Sequence, residues 1–196
     1  MARKPPLIEL VHPITKLQFK LIDRAVRKAG YSAAIKWSEN IRPPADARDF
    51  ASEAAYVICN SGMSNIVAVG IFQKCMLALD AGHSCKTVFG HPGKSGAIDY
   101  IWTNRVMLFR RYKKALDPIT FCGTLPWVGP ITKYHLAKNF GSDVAKPDVH
   151  LLRLANSGGT TAQELCDRLA DESGYRAATV DLILWRACAD GIIHSR

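Results

Sequence analysis

Between residues 125 and 155 the chain reads LPWVGPITKYHLAKNFGSDVAKPDVHLLRLA, and two parts of this stretch have the make-up of a chemical site. Leu125 and Pro126 close one helix, Trp127 to Pro130 form a tight turn that calls for a flexible Gly129, and ITKYHLAKNF starts a second helix closed by Gly141. Such a turn aims backbone N–H groups outward at a helix N-terminus, where they and the positive end of the helix dipole suit a phosphate group. Lys133 and Lys138 add point charges nearby. Farther on, Asp148 stands between Pro147 and an apolar, helix-like run. A lone carboxylate at that position either caps a helix or has a chemical task.

The elements that must position these groups are helical. Leu17, Leu21, Ile22 and Val26 recur at three- to four-residue spacing, with Lys16, Lys20, Arg24 and Lys28 on another face, and Gly30 stops the run. ARDFASEAAYVICN and SNIVAVGIFQKCMLALDAG read as two further helices, both largely buried, the second ending at Gly82. HSCKTVFGHPGKSG is a loop before a helix that begins near Ser95 and carries Ile98, Ile101 and Trp102. RVMLFRRYKK sets apolar residues beside five cations, as a helix resting on the core and facing an anion would. TAQELCDRLADESG opens with Thr161 and Glu164 at capping-box spacing, and RAATVDLILWRACADG is a last apolar helix. Period-two alternation is never sustained, so an all-α protein is expected. Without repeat, low-complexity tract or long linker, residues 1–196 read as a single domain.

Composition narrows the partner. Across 196 residues, 26 Lys and Arg face 17 Asp and Glu, a formal charge of +9 that favours a polyanion over a small neutral metabolite. No signal peptide or run of about 18 uncharged apolar residues occurs, so a cytoplasmic protein without membrane contact is expected. The six cysteines show neither CxxC nor zinc spacing and read as reduced core thiols, with no metal predicted.

LPWVGPITKYHLAKNFG followed by KPDVHLLRLA resembles the hairpin and catalytic-aspartate signature of the helix-hairpin-helix DNA glycosylase superfamily, the endonuclease III-like group. The specific likeness covers about residues 121 to 155. It implies two helical lobes around a cleft, with the hairpin at about 121–141 gripping duplex DNA. Gly129 matches the second hairpin glycine and Asp148 the catalytic aspartate; Gly129, Ile131, Thr132, Lys133 and Lys138 become the candidate DNA-binding group. Trp127 stands where the family has its first hairpin glycine. Ile131 stands where bifunctional members carry the Schiff-base lysine, and Ile131 forms no imine. Only Cys166 and Cys188 follow the aspartate, so no iron-sulfur cluster, and no other cofactor, is expected.

On this likeness the expected activity is that of a monofunctional DNA glycosylase. Cleaving an N-glycosidic bond builds positive charge on the sugar, which Asp148 would stabilise while orienting water. The base must be flipped out and its gap filled. Asn60, Met63 and Asn65 are candidates for wedge and orphan-base contact. Trp102, Tyr134, His135 and His150 are candidates for the base pocket, although Met63, Trp102 and Tyr134 also suit a core and Asn60 and Ser64 also suit helix caps. FGHPGKSG, with His91 and Lys94, has glycines for a phosphate but lacks Walker spacing, and a plain surface turn is the better reading.

Two alternatives stand beside it. Bacteriophage-encoded enzymes that look like members of the same fold family replace an activated group on the methyl carbon of a thymine-derived base with an amine or amino acid. Lys146 and Pro147, where the family usually has small apolar residues, lean toward that class, and the setting would then be a phage-infected cell rather than a nucleoid. The other alternative is a non-catalytic DNA-binding module, against which stands the placing of an anion, Asp148, on a DNA-facing surface.

Overall fold

The computed structural model describes residues 7–195 of the chain. Among the described residues the elements run α1 (Lys16–Val26), a π-type turn (Arg27–Tyr31), α2 (Ser32–Asn40), α3 (Ala47–Asn60), α4 (Asn65–Asp80), a 3-10 turn (Cys85–Thr87), α5 (Pro92–Thr103), α6 (Arg105–Lys114), α7 (Pro118–Cys122), α8 (Thr132–Asn139), α9 (Val149–Ser157), α10 (Ala162–Ser173) and α11 (Ala177–Ala189). There is no strand among them, as the helical periodicity predicts. The chain gathers into two compact units: one joins the residues before Arg42 to those from Asp143 onward, and the other is the continuous stretch Arg42–Ser142.

The discontinuous unit contains α1, α2, α9, α10 and α11. Thr15 caps α1 in a reciprocal box with Gln18, and Thr161 does the same for α10 with Glu164 at the spacing read from the sequence. α1 turns Phe19, Ile22 and Val26 inward, whereas Leu17 and Leu21, assigned to the apolar face from their spacing, are exposed. Phe19 sits between those two positions and takes the core with it. Leu151, Leu154, Leu165, Leu169, Val180, Ile183 and Leu184 complete this core. Each such side chain contributes roughly 1.5–3 kcal/mol by leaving water. Gly30 breaks the helical path as expected: at φ 101° it takes left-handed backbone within the turn, and a separate helix, α2, follows from Ser32. α2 buries little beyond Ile35 and Ser38, so its sequence has too weak an apolar stripe to announce it.

α3 is the axis of the continuous unit. Its Ala51, Ala54 and Ala55 are buried, and such small residues allow α4 and α5 to approach closely. Phe50 ties the later helices to α3, stacking on Phe140 at 5.0 Å with Tyr112 and Phe121 at 5.7 and 6.2 Å. That aromatic cluster fixes α6, α7 and the end of α8 against one side of α3. α4 departs from the expected burial: it encloses Ala68, Cys75, Ala78 and Leu79 but leaves Ile66 88% exposed and Val67 and Leu77 open to solvent. An almost uniformly apolar helix has no polar face by which its sequence can show which side turns inward. α5 begins at Pro92 rather than near Ser95, because His91 Nδ1 accepts from the Lys94 amide and Pro92 takes the first helical position. Five cysteines are buried and Cys188 is half-buried.

Candidate functional site

Residues 123–131 join α7 to α8 in the continuous unit. α7 ends at Cys122, before the predicted Leu125–Pro126. Trp127, at φ 64°, is the non-glycine residue of positive φ among the described residues, while Gly129 lies outside the left-handed region and a Cβ there would meet open space. The expected need for glycine at 129 is thereby corrected: the left-handed residue of the turn is Trp127. Its ring meets the His91 ring edge-on at 5.0 Å and fills the space a Cβ on Gly93 would occupy, with Cζ3 2.2 Å from that position.

α8 starts at Thr132 with Ile131 as N-cap and no side-chain cap. Among the described residues nothing accepts from the amides of Gly129, Ile131 and Thr132, whereas the Lys133 amide donates to the Gly129 carbonyl at 3.0 Å. Three N–H groups at one helix end therefore remain available to an anion. The Lys133 stem lies along Gly123, and its ammonium stands 5.3 Å from the Tyr134 ring. Lys138 is in the last turn of α8, about 9 Å along the helix from Thr132. Tyr134 and His135 are half-buried on the same helix.

The wedge candidates gather at the joint of α3 and α4. Asn60 ends α3, and its carbonyl accepts from the Met63 amide at 3.3 Å; Met63 is half-buried; Asn65 opens α4 and accepts from the Tyr56 hydroxyl at 2.7 Å. Ser64 is the N-cap of α4 but makes no side-chain capping bond. The most prominent side chain of this joint is Ile66, which the burial assigned to α4 from sequence concealed. Lys94, taken with His91 as a possible phosphate ligand, is instead buried, and its ammonium donates to the Ser61 carbonyl. Burial holds its pKa below the ordinary lysine value. Of the glycines in this loop, Gly93 seats Trp127. Trp102 has Arg105 over its ring at 4.7 Å and Arg48 at 5.8 Å, so guanidinium groups already occupy its surroundings.

Asp148 belongs to the discontinuous unit. It is the N-cap of α9: Oδ1 accepts from the amides of His150 at 3.0 Å and Leu151 at 3.2 Å. Oδ2 faces the Lys146 ammonium at 3.6 Å, and the aspartate side chain is only 13% accessible. One oxygen is thus spent on the helix while the other meets a cation. His150 Nδ1 lies 3.1 Å from the Ser195 hydroxyl. Cys188 also reaches Ser195, and its thiol is pushed up to about 11, first by burial and then by the charge of Asp148. Ser195, Cys188 and Lys146 join Asp148 and His150 in one group. Ser195 and Cys188 carry no sequence signal, since only the packing of the chain end brings them to α9.

Charge is unevenly divided. Arg42–Ser142 holds twelve Lys and Arg against six Asp and Glu, most of the whole chain's excess. Among the described residues no group of three or more His, Cys, Asp and Glu side chains has the arrangement of a metal site, and no helix is long and apolar enough to cross a membrane. Comparison with protein-family models, curated proteins and solved structures returns no match to the chain.

Proposed function

We propose that the protein is a DNA base-processing enzyme of the helix-hairpin-helix glycosylase kind, acting as a monofunctional DNA glycosylase on a flipped, modified or damaged base. The observation that carries the reading is the seating of Asp148. Two amides and an ammonium surround a carboxylate that is largely withdrawn from water, which orients it rigidly and leaves Oδ2 directed at a cation. A carboxylate held in this way suits positive charge developing on a deoxyribose as the base departs, and suits the orientation of water toward the same carbon. The amides of Gly129, Ile131 and Thr132 with Lys133 supply the phosphate grip. Ile131 supplies no amine, so strand cleavage is left to another step.

A second reading draws on the same oxygen. Oδ2 already accommodates an ammonium group, that of Lys146, as it would accommodate an amine co-substrate. In a base-modifying transferase of the phage type, Asp148 would take a proton from that amine as nitrogen attacks the activated methyl carbon and the activating group leaves that carbon with the electrons of its bond, and the glycosidic bond would survive.

Mass spectrometry of free bases and nucleosides separates the two. The protein is incubated with duplexes carrying damaged and methyl-substituted pyrimidines, with and without amines and amino acids. A released free base supports the glycosylase. An intact nucleoside of altered mass supports the transferase, and unchanged DNA throughout overturns both.

A further inference from the structure

The face of α6 turned away from the aromatic cluster is a basic groove that neither the aspartate group nor the α7–α8 turn uses. Leu108 is buried, and Phe109 and Tyr112 join Phe50, so this side of the helix is committed to the core. Around it Val106, Met107, Arg110, Arg111 and Lys114, with Thr103 and Asn104 at the α5–α6 junction, line an open groove of about 400 Å³. Met107, Arg110, Arg111 and Lys114 recur at three- and four-residue spacing and so share one face.

The cations of this face are uncommitted. Arg27, Arg48, Arg168 and Arg176 all have carboxylate partners within 4 Å. Among the described residues Arg110, Arg111 and Lys114 have none, and α6 contains no acidic residue. The other two cations of the helix rest on rings: Arg105 over Trp102 at 4.7 Å and Lys113 over Phe109 at 4.9 Å. Arg110 and Lys114 are one turn apart, about 6 Å along the axis, with Met107 and Val106 exposed beside them.

We infer that this groove binds the sugar-phosphate backbone of a nucleic-acid strand, as a phosphate grip separate from the α7–α8 turn. Guanidinium forks and an ammonium spaced along one helix face match a polymer that repeats its negative charge, and exposed Met107 and Val106 give the sugars an apolar floor. A concave surface also favours a strand over the flat anionic plane of a bilayer. The inference rests on the nucleic-acid reading of the chain and extends the footprint that reading requires.

The test compares wild type, the triple variant Arg110→Gln/Arg111→Gln/Lys114→Gln, and Lys133→Gln. Binding to a 30-base-pair duplex is measured over a range of salt, alongside photo-crosslinking from a benzophenone amino acid at position 107. The three side chains are exposed, so the triple variant folds. It is expected to bind about 10- to 100-fold more weakly at 0.1 M salt and to lower the slope of log Kd against log salt by about 2 to 3, while Lys133→Gln lowers it by about 1. The position-107 crosslink is expected on a DNA strand.

Loss of affinity in Lys133→Gln alone, with the triple variant binding like wild type and no crosslink to DNA, overturns the groove and leaves the nucleic-acid reading standing. A wild-type protein with no salt-dependent DNA binding overturns both. Capture of vesicles rich in acidic lipid, lost in the triple variant while DNA binding is unchanged, assigns the groove to a membrane and likewise overturns the inference.

Discussion

The indole of Trp127 occupies the volume that a Cβ on Gly93 would need, Cζ3 lying 2.2 Å from where that atom would be. Two residues from different segments therefore depend on each other. The bare backbone at 93 admits the ring, and the ring's contact with Gly93 and His91 holds the turn whose amides face solvent. Gly93→Ala is expected to push out an indole that is already 46% exposed. Because the clash falls on the outer end of a side chain that can swing away, the midpoint of thermal unfolding should move by only a few degrees, equivalent to about 1 kcal/mol. Tryptophan emission should shift to the red, and DNA affinity should fall as the turn loosens. Unchanged emission would show that the ring does not rest there.

Asp148 caps α9, the proposed reading gives it a catalytic task as well, and two substitutions separate the two. Asparagine caps a helix about as well as aspartate, so Asp148→Asn should keep its stability while base release falls by about 10² to 10⁴. Asp148→Ala should lose a similar share of turnover and in addition about 1 kcal/mol of stability. Full turnover in the asparagine variant would reduce Asp148 to a cap.

Cys188 reports on the same carboxylate. Its thiol is raised to about 11 by burial and by the negative charge of Asp148, against a smaller opposing hydrogen bond from Ser195. Since the thiolate is the reacting form, alkylation near pH 9 should be slow and should rise steeply with pH. Asp148→Asn removes the second cause, so the alkylation profile should move to lower pH. An unmoved profile would place the carboxylate away from the thiol.

Lys94 makes stability depend on pH with a definite sign. Burial lowers its pKa in the folded protein below the unfolded value of 10.5, so between those two values the unfolded chain binds more protons. The cost of burying the charge is therefore present at neutral pH and fades as pH rises through the folded pKa toward 10.5. Compared with Lys94→Met, the wild type should gain stability over that window. Parallel curves of unfolding free energy against pH would remove Lys94 from the account.

Caps and periodicity carried much of the fold. Thr161 with Glu164 marked the start of α10, Asp148 marked the start of α9, and Gly141 closed α8, because capping acts over three or four residues of local sequence. What stayed hidden depends on distant packing. The exposure of Ile66 and Leu77 on α4 has no local signature in a helix that is apolar on every side. The burial of Lys94 follows from where Ser61 comes to lie, and the left-handed backbone at Trp127 from the space above Gly93. The candidate site divides in the same way. Asp148 and Lys133 stood out by residue type and spacing, whereas Ser195 and Cys188 reach α9 only through the fold of the chain end.

The discontinuous unit also sets an order of assembly. When α1 and α2 leave the ribosome, the apolar faces that will cover Phe19, Ile22, Val26 and Ile35 have yet to be synthesised; about a hundred residues of the other unit come first. That intervening stretch has all its own contacts at hand and can collapse while translation continues. The leading helices cannot. They wait with bare apolar surface until α9 to α11 emerge, and this interval is where a nascent chain most needs a chaperone's shelter.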